Sequence, residues 1–112
     1  MEANMKLTIT EQMLLLTIWR LDEKSYGFKI REKVCEYMNK DIAFGTIYNN
    51  LDQLIRKGYA VSFKGEPTAV RGGKRKVYYK ITDKGLDALQ AARELQNRLW
   101  DGIPKFAFMR GK

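Results

Sequence analysis

The chain has 112 residues, of which 45% are hydrophobic, a size that suits one globular domain and excludes a second core. Lys and Arg number 21 against 13 Asp and Glu, and the formal net charge of +8 is typical of proteins with a polyanionic partner. Because Cys35 is the single cysteine, no secretory leader is evident and no apolar run approaches the roughly 20 residues of a membrane-spanning helix, we expect a cytoplasmic protein without membrane contact.

The residue types also argue against catalysis. The sequence has no histidine, one cysteine and no paired carboxylates in an apolar segment, so no side chain is suited to act as a general base near neutral pH. We therefore expect no enzyme activity and no catalytic, metal or cofactor site. Glu32 and Glu36 flank Cys35 on the same predicted helix and disfavour its thiolate, which favours a structural cysteine over a redox sensor.

The first two predicted elements are amphipathic helices. Thr8 and Glu11 have the spacing of a capping box, so the first helix is expected to begin there. Its apolar face comprises Ile9, Met13, Leu14, Leu16, Thr17 and Leu21. After a polar turn over residues 22–25, Ser25 is expected to cap a second helix over about residues 26–38. The apolar face of that helix comprises Ile30, Val34, Tyr37 and Met38.

A third helix is predicted from about Phe44 to Lys57, and it ends at Gly58, which tolerates the positive φ of a C-terminal cap. Its core stripe is predicted to comprise Phe44, Ile47, Leu51, Leu54 and Ile55. Beyond Gly58 the apolar period falls to two, with Tyr59, Val61 and Phe63 in one run and Val77, Tyr79 and Ile81 in the next. These two runs predict a long antiparallel hairpin.

Thr82 is expected to cap a fourth helix over about residues 83–101, and the tail over 102–112 has no clear period. The element order α-α-α-β-β-α predicts a mainly α fold with a small β-hairpin (α+β), a winged helix-turn-helix. We expect residues 1–82 to form a DNA-binding domain and residues 83–112 a dimerisation helix and tail. The fourth helix carries more apolar side chains than one small core can cover, which predicts a homodimer through Leu86, Leu89, Leu95, Leu99 and Trp100.

Positive charge is concentrated in residues 56–80, which hold eight basic side chains and one acid, Glu66. Apolar residues at strand spacing interrupt this cluster, which favours a folded hairpin over a disordered basic tail. The hairpin loop carries Arg71, Lys74, Arg75 and Lys76 around two glycines, and such a wing suits a phosphate or the minor groove. A nucleotide-binding loop is disfavoured because the strand-to-helix context of phosphate loops is missing.

The polar face of the third helix is the expected DNA-reading surface, because the second helix of a helix-turn-helix enters the major groove. This face comprises Gly45, Thr46, Asn49, Asn50, Gln53, Arg56 and Lys57. Amide side chains can pair bidentately with adenine, and Gly45 leaves backbone N–H groups open to a phosphate. The alternative is an ordinary solvated face, but Asp52 is the only acid between Phe44 and Lys57.

Three motifs occur in order along the chain: Tyr26-Gly27-Phe28-Lys29-Ile30, Gly45-Thr46-Ile47-Tyr48 with Leu51 and Leu54, and Gly72 to Thr82 with Gly85. Together they resemble the PadR-like transcriptional regulators over about Leu7 to Leu89. The resemblance implies a winged helix that dimerises through its C-terminal helix, often a repressor released by small aromatic compounds. It further implies a DNA-backbone contact for Tyr48, with packing as the alternative, a basic wing at Lys74–Lys76 and a core position for Tyr79. Two positions depart from the family pattern: Asn49 replaces a common proline, and Ala43 replaces a common Ser or Asn cap.

The single appended helix is similar to the short-tailed PadR class. In some members of that class, an aromatic residue on the last helix lines a cavity at the dimer interface and stacks on flat ligands. The resemblance thus implies Trp100, with Trp19 as a second candidate, for a small aromatic effector, although plain interface packing is the alternative. A second class of function is a winged helix used for protein contact or for sequence-neutral DNA binding.

Overall fold

A computed structural model of the chain describes residues 7–66 and 76–105. These ranges form four α-helices, α1 (Ile9–Leu21), α2 (Gly27–Met38), α3 (Phe44–Arg56) and α4 (Asp83–Trp100), with a short 3₁₀ helix (Asp22–Lys24) between α1 and α2 and a hairpin of β1 (Ala60–Lys64) and β2 (Val77–Ile81) between α3 and α4. The strands pair antiparallel, with Ala60 opposite Ile81 and Lys64 opposite Val77. The predicted order α-α-α-β-β-α and the winged-helix architecture are confirmed. None of the helices in the described ranges is long and apolar enough to cross a membrane.

Local capping signals set two of the helix starts as predicted. The Glu11 N–H donates to the Thr8 hydroxyl at 3.0 Å and the Thr8 N–H donates to the Glu11 carboxylate at 2.9 Å, which completes the capping box of α1. At α4, the Gly85 N–H donates to the Thr82 hydroxyl at 3.0 Å. Each cap satisfies backbone donors that the first helical turn leaves without a partner.

The predicted Ser25 cap of α2 is wrong, because the N-cap residue is Tyr26 and it provides no side-chain cap. Ser25 is fully buried, and its hydroxyl has no hydrogen-bond partner among the described residues. Its carbonyl accepts the Tyr79 N–H at 2.8 Å, and Tyr26 forms an isolated antiparallel bridge with Tyr78. The segment before α2 thus pairs with β2 as a minimal third strand, a long-range contact that draws Ser25 away from the helix end.

The core lies where α1, α2 and α3 meet the hairpin and the start of α4. Its buried apolar members are Leu14, Leu15, Ile18, Ile30, Val34, Ile47, Leu51, Leu54, Tyr59, Ala60, Tyr79 and Ala88. This confirms the core positions of Ile47, Leu51 and Leu54 on α3 and that of Tyr79 on β2.

Several residues predicted for the core are exposed instead: Ile9, Leu16, Tyr37, Met38, Phe44, Val61 and Phe63. The core covers a narrower side of each helix than the apolar periodicity indicates; on α1, for example, Leu16 is exposed between buried Leu15 and Thr17. In β1 burial does not alternate along the strand, because only the first residue, Ala60, is buried. Tyr59 and Ala60 are both buried where the chain leaves α3, whereas Val61 and Phe63 lie farther along the strand and are about half exposed.

An ion pair joins the ends of α1 and α3. The Lys57 ammonium donates to the Glu11 carboxylate, whose side chain is only 5% exposed. Burial by itself would raise the pKa of Glu11, but hydrogen bonds from Lys57 and from the Thr8 backbone, with the Lys57 charge, hold the pKa below its usual value. Lys57 therefore pairs with a buried carboxylate while 44% of its own side chain stays exposed, and its place on the DNA-reading face stays a prediction.

The first turns of α4 pack closely on the junction between α3 and β1. A Cβ added at Gly85 would lie 2.2 Å from the Tyr59 carbonyl oxygen, so only glycine permits this approach. The Thr82 hydroxyl donates to the Gly58 carbonyl at 2.6 Å, which anchors the helix start. In contrast, Gly85 and Ala88 are the only buried residues of α4. The second half of the helix thus extends beyond the core.

Candidate nucleic-acid interface

The outer face of α3 is open and polar. Gly45, Thr46, Asn49, Gln53 and Arg56 are all exposed, and a Cβ added at Gly45 would meet nothing within 4 Å. The N-terminal turn of α3 has no side-chain cap and no acidic residue. The Thr46 N–H donates to the Ala43 carbonyl at 3.1 Å, whereas the Phe44 and Gly45 N–H groups, at the positive end of the helix dipole, have no hydrogen-bond partner within the described ranges and can interact with an anion.

The three amide side chains of this face differ in whether they form a hydrogen bond within the chain. The Asn50 amide donates to the Thr46 carbonyl at 2.8 Å, and Asn50 is half-buried, so its side chain is held against its own helix. The exposed Asn49 and Gln53 amides make no hydrogen bond within the described part of the chain. Of the predicted amides, Asn49 and Gln53 are thus better placed than Asn50 to pair with an adenine edge.

Tyr48 lies at the border between α3 and the start of α2. A Cβ added at Gly27 would come within 2.1 Å of the Tyr48 hydroxyl, so the tyrosine occupies the space that the missing side chain leaves. The Tyr48 side chain remains 39% exposed. This contact explains the glycine of the Tyr26-Gly27-Phe28 motif and fixes the position of the Tyr48 hydroxyl.

A cleft of about 460 Å³ separates α2, α3 and β2 beside this tyrosine. Its lining comprises Tyr26, Gly27, Phe28, Tyr48, Lys76, Val77 and Tyr79. Lys76, the last residue of the predicted wing, places its ammonium 4.4 Å from the centre of the Tyr26 ring. The structure thus brings one wing cation and Tyr48 to the same cleft, whereas Arg71, Lys74 and Arg75 lie outside the described residues.

Tyr79 forms the inner wall of the cleft and is buried. Burial raises its pKa, and the neighbouring Tyr48 and Asp52 on α3 raise it further. The Tyr79 hydroxyl thus lies within electrostatic reach of α3, although β2 itself packs mainly on β1 and α1, and it is β1 that packs on α3.

Three aromatic rings stack in a row beside the cleft, and two of them, Phe28 and Phe44, were not predicted as site residues from the sequence. The ring centres of Phe28 and Phe44 are 6.3 Å apart, and those of Phe44 and Tyr48 are 6.0 Å apart, with interplanar angles of 26° and 17°. Helical spacing suggested a core position for Phe44, because period alone does not distinguish an exposed edge from a buried one. The i, i+4 relation of Phe44 and Tyr48 was the available signal for their contact.

The model of the transcriptional regulator PadR-like family matches residues 15–91 of the chain, a range that includes α2, α3, the hairpin and the start of α4. The chain belongs to the PadR-like family. As a member, it is a DNA-binding transcriptional regulator. The α3 face and the cleft are its candidate DNA-binding surfaces. No curated protein matches the chain.

Several solved structures have the same fold. RosR of H. salinarum is 25% identical, with a TM-score of 0.64 over 88% of this chain and 81% of that one. A PadR family regulator from Clostridium difficile R20291 is 26% identical, with a TM-score of 0.57 over 80% and 88% of the two chains. A PadR-like transcription factor from Bacteroides fragilis, 23% identical with a TM-score of 0.66 over 81% and 82%, supports the fold alone.

The predicted dimerisation residues of this PadR-like protein project from α4. Leu86, Leu95, Leu99 and Trp100 are 40–62% exposed, whereas Leu89 is half-buried and packs against the core. A second apolar stripe, missed at the sequence level, follows α1 and comprises Ile9, Leu16 and Trp19, each 48–66% exposed. The exposed side chains of the two helices meet at Trp19 and Leu86, which line the same cavity.

The two tryptophans proposed for an effector occupy different surroundings. Trp19 lines a cavity of about 220 Å³ together with Phe63, Tyr79 and Leu86. Trp100 lies at the end of α4, where its indole N–H donates to the Gln96 side chain at 3.2 Å. Among the described residues, no group of three or more His, Cys, Asp or Glu side chains could hold a metal ion.

Proposed function

We propose that this PadR-like regulator acts in the cytoplasm as a homodimeric repressor of a pseudo-palindromic operator. The observation that carries the proposal is the juxtaposition of an acid-poor amide face on α3 with the cationic cleft of Tyr48 and Lys76. In this arrangement α3 lies in the major groove, where Asn49 and Gln53 read base edges. Tyr48, Lys76 and the wing residues Arg71, Lys74 and Arg75 contact the flanking phosphates.

Dimerisation is proposed to use the apolar stripe of α4, within residues 83–112. Isolated exposed apolar side chains are ordinary, but Leu95, Leu99 and Trp100 lie close together on one projecting helix, and the α1 stripe extends the apolar area. A two-fold axis through this surface would present two copies of α3 to half-sites about 34 Å apart.

A small aromatic effector is proposed to bind next to Trp100 or Trp19, whose exposed indoles offer flat apolar surfaces. A planar cation should quench the fluorescence of the contacted indole. Trp100→Phe and Trp19→Phe each leave one tryptophan, so titration of the two variants assigns the quenching to one indole. The proposal would be contradicted if the planar cation quenched the two variants to the same extent, as a simple collisional quencher does.

The test of operator recognition begins with selection of bound fragments from genomic DNA. Binding to the selected site is expected to exceed binding to unrelated DNA by roughly 10³ or more, with two half-sites one helical turn apart. Asn49→Ala and Gln53→Ala should each lower the specific affinity by about 1–3 kcal/mol and leave non-specific binding unchanged. Gln90→Ala, an exposed amide on α4, is the matched control and should have no effect. Sequence-neutral binding by the wild type would favour a DNA-compaction or protein-contact role instead.

The dimer is tested separately by sedimentation. The wild type is expected to be dimeric at micromolar concentration, and Leu99→Asp should shift it to monomer with unchanged helix content by circular dichroism. Lys40→Asp, a charge change at an exposed position just after α2, serves as the control. A monomeric wild type, or a Leu99→Asp variant that stays dimeric, would remove the proposed interface.

A further inference from the structure

The row of rings formed by Phe28, Phe44 and Tyr48 is an exposed apolar strip at the edge of a polar, acid-poor helix face. Phe28 is 54% exposed and Phe44 and Tyr48 are each 39% exposed, although all three rings are stacked. A strip that served only to join α2 to α3 would bury most of this surface. Because the three exposed rings are contiguous, they have the character of an interaction surface.

The strip lies where a recognition helix reads DNA. Phe44 is the first residue of α3, and the N-terminal residues of a recognition helix contact base edges. Its neighbour Gly45 has open space on its outer side. Phe28 and Tyr48 line the same cleft as Lys76, the wing cation. A DNA strand held at this cleft would thus pass in front of the rings.

Arg31 holds the Phe44 ring in place. Its guanidinium lies 4.5 Å from the ring centre, while its N–H groups donate to the Ile42 carbonyl and, at 2.7 Å, to the Asp41 carboxylate. Both bonds tie α2 to the turn that precedes α3. Because the ring is stacked on three sides before any DNA arrives, binding would cost little side-chain entropy.

The apolar rings of the strip are suited to one feature of the DNA bases, the thymine methyl group. In the major groove the C5 methyl of thymine is the apolar feature of the base edges, and phenylalanine is among the side chains that contact it. The amides of Asn49 and Gln53, on the outer face of the same helix, suit adenine. An A·T pair presents both features, so an amide and a ring on one helix are complementary to neighbouring A·T pairs.

We propose that Phe44, supported by Phe28 and Arg31, is a specificity-determining residue that reads thymine methyl groups in the operator half-site. This inference rests on the proposed operator binding and adds to it the base class read at the N-terminal end of α3. Phe44 provides the contact, whereas Arg31 is a positioning residue that acts through the ring.

The test replaces each thymine of the selected operator in turn by deoxyuridine, which removes only the methyl group. At the thymines read by Phe44, wild-type affinity should fall about fourfold per methyl, which corresponds to about 0.8 kcal/mol for one buried CH₂ equivalent. The Phe44→Ala variant should bind the operator with the same affinity whether thymine or uracil stands at those positions. Arg31→Met should reduce the discrimination without abolishing it.

Phe63→Ala is the matched control, because this ring is 51% exposed and stacked on Tyr78 at 5.7 Å but lines a different cavity from Phe28 and Tyr48. This variant should keep the full thymine preference. If Phe44→Ala does not fold, the comparison of thymine with uracil operators, made with the wild type and with Phe28→Ala, still tests the inference. Equal wild-type affinity for thymine and uracil at every position would overturn the inference, as would a preference that persists in Phe44→Ala. A complete lack of sequence preference would instead refute the proposed function itself.

Discussion

Gly27→Ala tests whether Tyr48 acts in DNA binding through its fixed position. The added methyl would lie 2.1 Å from the Tyr48 hydroxyl and 2.7 Å from the adjacent ring carbon. Since ordinary contacts are about 3.5 Å, the hydroxyl must move by at least about 1 Å. Tyr48 is 39% exposed and can rotate outward, away from the cleft that it shares with Lys76.

The variant should separate DNA affinity from stability. Gly27 is not among the described residues with positive φ, so alanine fits the backbone, and its helix propensity offsets part of the repacking cost. We expect the free energy of unfolding to fall by no more than about 1–2 kcal/mol. Operator affinity should fall by about 1.5 kcal/mol, or roughly tenfold, because a hydrogen bond to a charged phosphate is lost.

A double-mutant cycle decides whether the effect passes through the tyrosine. Tyr48→Phe removes the hydroxyl and should by itself cost a similar amount of binding free energy. In the Tyr48→Phe background, Gly27→Ala should then have little further effect when binding is followed by fluorescence anisotropy at fixed salt. The reasoning is refuted if Gly27→Ala weakens binding equally in both backgrounds, or if it leaves wild-type affinity intact.

Three further predictions concern stability, measured by urea unfolding at a fixed protomer concentration. Gly45→Ala should stabilise the protein by about 0.5–1 kcal/mol, since a Cβ there meets nothing, yet weaken operator binding; unchanged binding would contradict close DNA approach at this helix end. Lys57→Met leaves the buried Glu11 carboxylate unpaired and should cost about 1–2 kcal/mol at pH 7, less than a fully buried pair because Lys57 is 44% exposed. Because the folded pKa of Glu11 lies below 4.5, this difference should shrink as the pH falls through that value, and a pH-independent difference would be inconsistent with the ion pair. Thr82→Ala should cost about 1–2 kcal/mol and Thr82→Ser much less, since serine keeps the hydroxyl that caps α4 and bonds Gly58; equal losses would exclude the cap as the cause.

The surfaces of α1 and α4 illustrate how far periodicity alone extends. The sequence pattern placed Ile9 and Leu16 in the core, whereas both are exposed, and it placed Leu95 and Leu99 on an outward stripe, where they lie. A hydrophobic period indicates that a helix has an apolar side, but not whether that side meets its own chain or a partner. Only the positions of the neighbouring elements decide this.

The candidate DNA-binding site was also predictable only in part from the sequence. Helical spacing together with the scarcity of acids predicted the open face of α3, which carries Asn49 and Gln53. Neither the Gly27 contact with Tyr48 nor the arginine over Phe44 follows from spacing, because each joins two helices across the turn between them. Ser25 likewise has the composition of a cap, but its backbone pairs with a strand more than fifty residues later.

By itself, the sequence determined the element order, the capping of α1 and α4, the α3 amide face and the basic segment. These are local properties, fixed by residues a few positions apart that interact through helical or strand geometry. The tertiary structure decided which apolar stripes are covered, which cation pairs with Glu11 and which rings border the cleft. Those outcomes depend on contacts between distant segments, where the shape of the packed neighbours, and not the residue type, determines what remains exposed to a partner.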